Sequence, residues 1–175
     1  MTSTGGESFH SDSIGLPWAQ NWSGNPAIEL KLLMSDIEGG RYAVRMRFRP
    51  GLQIVPHKHT GEVHAYTFSG KWTYLEYPDS PDNVAGSYLF EPPGTVHTLK
   101  IADDAADWTE ILFILYGAMI HLDEAGTVIG VTDAGSVIDE YAQRLHEQGD
   151  PVPAALPLGG RMAYSPLMTA QEASR

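Results

Sequence analysis

The sequence predicts an all-β barrel or sandwich with one helix near its C-terminal end. Short runs rich in β-branched and aromatic residues follow one another from Ile28 to about residue 131. Segments rich in Gly, Pro, Asn and Asp, such as "FSGK", "YPDSPDNVAG", "EPPG" and "DEAG", separate these runs and are typical of tight turns. Only residues 136–147 show a convincing helical period, so helices do not alternate with strands as they would around a parallel sheet.

The clearest strand signal lies at residues 41–49, where side chains alternate with a period of two. Tyr42, Val44, Met46 and Phe48 share one face, and four arginines with Ala43 share the other. This pattern predicts a half-buried strand. Further strands are expected at residues 63–68, 71–77, 87–91, 96–101, 108–116, 119–122 and 127–131.

The chain divides into three parts by composition. Residues 1–27 are rich in Ser, Gly, Asn and Pro and are expected to form an N-terminal arm. Residues 28–149 hold the barrel and the helix, whose apolar stripe consists of Val137, Ile138, Tyr141 and Leu145. Residues 150–175 contain prolines and no clear period, so an extended or disordered tail is expected.

Composition excludes several classes of function. The 175 residues include no Cys, so a thiolate metal site and a cysteine nucleophile are excluded. The formal net charge of −11 argues against nucleic acid as a partner. No apolar run is long enough to span a bilayer, and the first residues lack the features of a secretory signal, so a cytoplasmic protein is expected.

Three of the seven histidines lie within the stretch "PHKHTGEVHAYTFSGKW". In a strand, His57 and His59 project from the same face and can share one metal ion, although such a pair also occurs as surface or packing histidines. One extended segment cannot complete a metal site. His97, in "EPPGTVHTL", is the candidate third ligand, and its alternative role is that of a core or turn histidine.

Together these two segments resemble the cupin superfamily. The first cupin motif, G-x5-H-x-H-x3,4-E-x6-G, is matched by Gly51, His57, His59 and Gly70. The second motif, G-x5-P-x-G-x2-H-x3-N, is matched by Gly86, Pro92, Gly94 and His97, with Ile101 in place of the Asn. The resemblance implies a jelly-roll barrel (a double-stranded β-helix) that holds one metal ion.

The carboxylate ligand of the first motif is missing from this sequence. Its place falls on Val63 or His64, and Glu62 lies one residue short. His64 can act as a fourth imidazole ligand or line the pocket near the metal. Three neutral imidazoles leave the charge of a divalent ion uncompensated, which favours an anionic bidentate ligand such as an enolate.

Over residues 31–131 the chain is similar to the cupin subgroup that contains 2,4'-dihydroxyacetophenone dioxygenase and the acetylacetone-cleaving dioxygenase. This resemblance implies a non-haem Fe(II) dioxygenase that uses O2 to cleave a C–C bond of a ketone substrate. It assigns the metal to His57, His59 and His97, and it places the carboxylate of Glu91 beside these ligands, where it would orient an imidazole or a bound water.

Other interpretations stay open at this point. The chain also resembles the zinc-holding cupin domains of anti-sigma factors, which favours a metal-dependent sensor or ligand-binding module without oxygenase activity. A histidine-only site accepts Fe, Zn, Ni, Mn or Cu. The aromatic residues of the predicted strands form a pocket wall if they face inward, and otherwise plain core: Tyr66, Phe68, Trp72 and Tyr74. We expect a homodimer or homotetramer, because the apolar strand at residues 111–115 offers a surface for self-association.

Overall fold

Residues 10–153, which the computed structural model describes, contain twelve strands, a short 3-10 turn and one α-helix. The strands are β1 Ile28–Asp36, β2 Arg41–Phe48, β3 His57–His59, β4 Val63–Ser69, β5 Lys71–Tyr74, β6 Asn83–Val84, β7 Tyr88–Glu91, β8 Val96–His97, β9 Leu99–Ile101, β10 Thr109–Tyr116, β11 Met119–Leu122 and β12 Val128–Thr132. Helix α1 spans Ser136–Gln148. The predicted all-β fold with one C-terminal helix is confirmed.

The strands form three sheets with antiparallel neighbours. The largest sheet has the order β1-β2-β10-β4-β7, the second has the order β12-β11-β3-β8, and the smallest has the order β6-β5-β9. A shared core is built from the inward residues of the first and third sheets and from α1. Residues far apart in the chain therefore meet across the sheets, as in a barrel.

Strand β2 follows the predicted alternation, because Tyr42, Val44 and Phe48 are buried. The prediction of one strand over residues 96–101 is wrong: β8 and β9 belong to different sheets. Thr98 separates them, and its backbone N–H donates to Glu76 Oε2 at 2.7 Å instead of to a neighbouring strand. Strand β5 likewise ends at Tyr74, three residues before the predicted end.

Helix α1 covers β1 with its predicted apolar stripe, and the four stripe residues are buried in the core. Burying a side chain of this size stabilises the fold by about 1.5–3 kcal/mol. Gly149 caps the end of the helix in a left-handed conformation with φ of 80°. A residue with a side chain would be strained there.

Residues 10–27 lie against the barrel. Ala19 exchanges two backbone hydrogen bonds with Leu30 of β1, at 2.8 and 3.0 Å. Trp22 is buried in the core, and the Trp18 ring lies 4.3 Å from the guanidinium carbon of Arg47 on β2. The predicted tail at 150–175 falls almost wholly outside the described residues.

The chain passes from the second sheet to the first between β3 and β4, at Gly61. A Cβ atom at Gly61 would lie 2.3 Å from the carbonyl oxygen of Tyr116, so only glycine fits this crossing. Tyr116 also donates its backbone N–H to the carbonyl of Glu62 at 3.0 Å. The side chains of β3 and β4 therefore take their orientation from two different sheets.

Candidate metal centre

Strand β3 places His57 and His59 side by side. The two imidazoles are buried, with 3% and 5% of their surface exposed, and Lys58 between them points the other way. The strand lies between β11 and β8 in the second sheet, so both of its edges are paired. The period of two that predicts a shared face holds for this segment.

His97 comes to the same point from β8. It lies directly opposite His57 in the antiparallel pair, which explains how a residue forty positions later joins the pair on β3. The centroid of the His97 ring is 4.5 Å from that of His57 and 5.5 Å from that of His59. One nitrogen from each ring falls within 4.8 Å of the others, which is close enough for all three to contact a single ion.

Burial keeps the imidazoles of His57 and His59 neutral. Burial, followed by the neighbouring histidines, lowers the pKa of His57 and of His59 from 6.5 to about 3. His57 Nδ1 faces the carbonyl oxygen of Val55 at 3.2 Å, which fixes the ring and leaves Nε2 free. Neutral imidazoles oriented by a backbone carbonyl are the form that binds a transition metal.

Glu91, the last residue of β7, lies beside two of the histidines and is only 4% exposed. Its Oε2 atom is 3.0 Å from His97 Nε2 and 3.4 Å from His59 Nε2. These distances are within the range of an ion pair, but the angles are unsuitable for a hydrogen bond. Within residues 10–153, Oε2 has no hydrogen-bond partner. The other oxygen, Oε1, accepts a short hydrogen bond from the hydroxyl of Tyr74.

The role of Tyr74 in this site was not predicted from the sequence, which assigns this residue only to a pocket wall or to the core. Its ring centroid lies 4.2 Å from that of His97, and burial, followed by the charge of Glu91, raises the pKa of its hydroxyl. The group therefore stays a proton donor to Glu91. Tyr74 lies two residues after buried Trp72 on β5, so both side chains share the inner face. This spacing is the sequence signal that could have placed Tyr74 inside the barrel.

His64 is not brought to the other histidines. On β4 the buried residues are Val63, Ala65 and Thr67, so the period of two turns His64 to the outer face. There its Nδ1 lies 2.6 Å from the Tyr88 hydroxyl, and its Nε2 lies 3.4 Å from Glu62. This position does not support either predicted role of His64, as a fourth metal ligand or as a residue of the pocket wall.

A cavity of about 440 Å³ opens next to the histidines. His57, His59, Tyr74 and Glu91 form part of its wall, and most of the rest is apolar, including Met46, Phe48, Ile54, Phe113, Leu115 and Met119. Trp72 lies in the core, and the rings of Tyr66 and Phe68 face outward, so of the four predicted aromatic residues only Tyr74 lines the cavity.

His121 also lines the cavity, although the sequence motifs give it no role. It pairs with His57 across β11 and β3, and its Nε2 lies 3.0 Å from the Thr132 hydroxyl. Burial lowers the pKa of its ring. Met119 and His121 are two residues apart on β11 and therefore share a face. This spacing is the sequence signal that could have placed His121 in the cavity wall.

The residues present fit a divalent metal ion. Three buried polar atoms of the cluster lack hydrogen-bond partners among the described residues: His59 Nδ1, His97 Nε2 and Glu91 Oε2. Unpaired buried polar groups are costly and rare, so such a concentration at one point indicates a bound species. Imidazoles with a carboxylate suit Fe, Zn, Mn, Ni or Cu.

An all-β barrel with three inward histidines on two paired strands is the arrangement that the cupin motifs predict. Residues 9–120 match the family described as the ChrR Cupin-like domain, and this match spans well over half of the chain. The protein belongs to that family. The predicted cupin superfamily is thereby confirmed.

Solved structures agree with this assignment. A cupin-like protein of unknown function from Ralstonia eutropha JMP134 is 31% identical, with 91% of this chain and 97% of that chain covered and a TM-score of 0.81. An RmlC-like cupin from the same strain is 24% identical, with 83% and 91% covered and a TM-score of 0.76. An acetylacetone dioxygenase from Acinetobacter johnsonii is 20% identical, with 67% and 78% covered and a TM-score of 0.60, and this likeness shows the fold alone.

A search of curated proteins found no match. Across residues 10–153, no helix has the length and apolar character needed to cross a membrane.

Proposed function

We propose that this protein is a non-haem Fe(II) dioxygenase that cleaves a C–C bond of a β-diketone or aryl hydroxyketone with O2. The observation that carries the proposal is the meeting of three buried histidines with a largely apolar cavity of about 440 Å³. A cavity of this size accommodates a small organic molecule. The likeness in fold to an acetylacetone dioxygenase is consistent with this class of substrate.

His57, His59 and His97 would hold the iron, and the ion when bound would supply Lewis acidity and the redox chemistry for O2. The chain itself provides binding and orientation. Apolar residues such as Phe48 and Phe113 line the cavity and would hold the carbon skeleton of the ketone away from water. Because neutral imidazoles do not compensate the positive charge of the ion, the site would favour binding of the substrate as its enolate anion.

The test is O2 uptake by the iron-loaded protein. Protein purified without air and loaded with Fe(II) is expected to consume O2 when acetylacetone or 2,4'-dihydroxyacetophenone is added, and to form shorter products. His97→Ala is expected to lose both iron and O2 uptake. His64→Ala, which removes an imidazole from the outer face, is the matched control and should keep both. Iron-loaded wild-type protein that takes up no O2 with either ketone would overturn the proposed reaction.

A second candidate is a zinc-binding sensor or ligand-binding module, and the match to the ChrR Cupin-like domain favours it. The same three histidines would hold zinc, and the cavity would bind a regulatory ligand. Metal analysis of protein purified without added metal distinguishes the two functions. Zinc near one ion per chain, together with no O2 uptake after iron loading, would select the module over the dioxygenase.

A further inference from the structure

We propose that Glu91 is itself a metal ligand, and that β7 thereby supplies the carboxylate that is missing from the first motif. The inference rests on the proposed metal site but not on oxygenase activity. Its basis is that Oε2 of Glu91 is buried, unpaired within residues 10–153, and close to the nitrogens of two predicted ligands. The resemblance to known dioxygenases, by contrast, implies only an orienting role for this residue.

The distances around Glu91 match those between ligand atoms on one ion. For metal–ligand bonds of about 2.1 Å, neighbouring ligand atoms lie about 3.0 Å apart at a right angle and about 3.4 Å apart at the tetrahedral angle. Oε2 lies 3.0 Å from His97 Nε2 and 3.4 Å from His59 Nε2. When the facing nitrogen presents its lone pair, an oxygen and a nitrogen this close repel each other unless a cation lies between them.

Local structure directs this oxygen toward the histidines. Tyr74 donates to Oε1 and so fixes the carboxylate, which leaves Oε2 on the side of His59 and His97. Within the described part of the chain, no Lys or Arg forms an ion pair with Glu91, and its recorded ion-pair contacts are with these two histidines. A carboxylate that is 4% exposed needs a cation, and a metal ion meets that need.

Glu62, the carboxylate nearest to the motif position, does not compete for this role. Its side chain is 46% exposed, and it faces His64 outside the barrel. On β4 the inward residue next to it is Val63, which pairs directly with Glu91 of β7. The carboxylate therefore comes from the strand beside the expected one, at almost the same level of the barrel.

Ligation by Glu91 changes the charge that a substrate meets. Three imidazoles alone leave a divalent ion with two positive charges, and one carboxylate reduces this to one. A site of this kind matches an organic ligand with a single negative charge, such as the monoanion of a diketone or hydroxyketone. Dianionic ligands would be less well matched.

Titration of the metal-free full-length protein with Co(II) tests the proposal without any turnover. Glu91→Gln keeps the shape of the side chain but removes its charge. We expect its Co(II) affinity to fall at least about 100-fold, beyond the range of about 10–100-fold seen when a neighbour of a ligand is lost. The visible absorption bands of bound Co(II) should also change, because they report the ligand set.

Three variants serve as controls. Glu62→Gln and Glu76→Gln remove nearby carboxylates with the same change in charge, and both should keep the wild-type spectrum and affinity. Tyr74→Phe removes only the hydrogen bond to Oε1, so it should weaken affinity by about 10-fold and leave the band positions in place. A Glu91→Gln protein with the wild-type Co(II) spectrum would overturn the inference.

A crystal structure of the zinc-loaded wild-type protein decides the question even if Glu91→Gln does not fold. The inference predicts Oε2 within about 2.2 Å of the ion. Oε2 separated from the ion by a water molecule would overturn it. Zinc bound by Glu91 in a protein without oxygenase activity would overturn the proposed reaction and leave this inference standing.

Discussion

The three histidines of one short stretch of sequence lie in two different environments. His57 and His59 lie inside the barrel, nearly dry and next to a third imidazole. His64, five residues after His59, lies on the outer face with 31% of its side chain exposed and with Tyr88 and Glu62 as its neighbours. The inner group has unpaired polar atoms, whereas both nitrogens of the outer imidazole have partners.

The difference shows that closeness in sequence does not define a metal site. What separates the two environments is the sheet to which each strand belongs, since β3 lies in the second sheet and β4 in the first. Burial without hydrogen-bond partners is the property expected of side chains that bind a metal ion. A partnered, partly exposed imidazole is a surface group.

The largest expected effect is on bound metal. His57→Ala and His59→Ala should each reduce the metal content of the purified protein from near one ion per chain to near zero, because two imidazoles hold an ion far less tightly than three. His64→Ala should leave the content unchanged. Elemental analysis by mass spectrometry measures this. Metal lost equally from all three variants would show that the inner and outer histidines do not differ.

The next effect is on the pH dependence of stability in the metal-free protein. The unfolded chain binds protons on His57 and His59 below pH about 6.5, whereas the folded chain does so only near a pKa of about 3. Protonation therefore favours unfolding, and stability should fall as the pH drops from about 6.5 toward 3. The loss is about 1.4 kcal/mol per imidazole per pH unit at most.

Urea unfolding at a series of pH values measures this slope. The double variant His57→Gln, His59→Gln should flatten it. His146→Gln, which removes an exposed histidine of α1, should not. An unchanged slope in the double variant would contradict the assigned burial effect.

A smaller effect is expected on thermal stability when metal is added. At a free metal concentration of about 100 times Kd, binding stabilises the folded state by about 2.7 kcal/mol. For a chain of this size, that corresponds to a rise in Tm of roughly 5–10 °C. Wild-type protein and His64→Ala should both show the rise in a thermal melt, and His97→Ala should not. A rise of the same size in His97→Ala would place the ion elsewhere.

The smallest effect is expected on the outer face. Tyr88→Phe removes the hydroxyl that contacts His64 Nδ1, and we expect it to lower the free energy of unfolding by about 0.5 kcal/mol, the low end for a hydrogen bond, because the pair is exposed to water. Metal affinity should not change. Urea denaturation and a metal titration measure the two quantities, and a change in affinity would connect the outer face to the metal site.

Sequence alone predicts a large part of this molecule. The alternation along β2 indicates which residues enter the core, and the stripe of α1 has the same predictive value. Motif spacing selects His57, His59 and His97 from seven histidines, and the structure brings those three together. These predictions succeed because they depend on local periodicity or on a spacing shared by many barrels.

Sequence reasoning does not reveal which way β4 faces. Its large aromatic residues, Tyr66 and Phe68, point to solvent, while the smaller Thr67 is buried. Thr67 is inside because its hydroxyl accepts a hydrogen bond from the indole N–H of Trp72 at 2.9 Å. Hydrophobicity favours the opposite orientation, so a contact between strands decides it. The pairing of Tyr74 with Glu91 is missed for the same reason, since it joins strands of two different sheets.

The glycine at the crossing between β3 and β4 has a consequence for how such sites can evolve. Because the side chains of a strand alternate, deleting Glu62, between Gly61 and Val63, would reverse the face of every residue in β4. His64 would then take the inward place of Val63, opposite Glu91, and Val63 and Ala65 would point to solvent. The outer histidine is therefore one deletion away from the inner face, and the tight passage of Gly61 beside Tyr116 fixes the register that holds it outside.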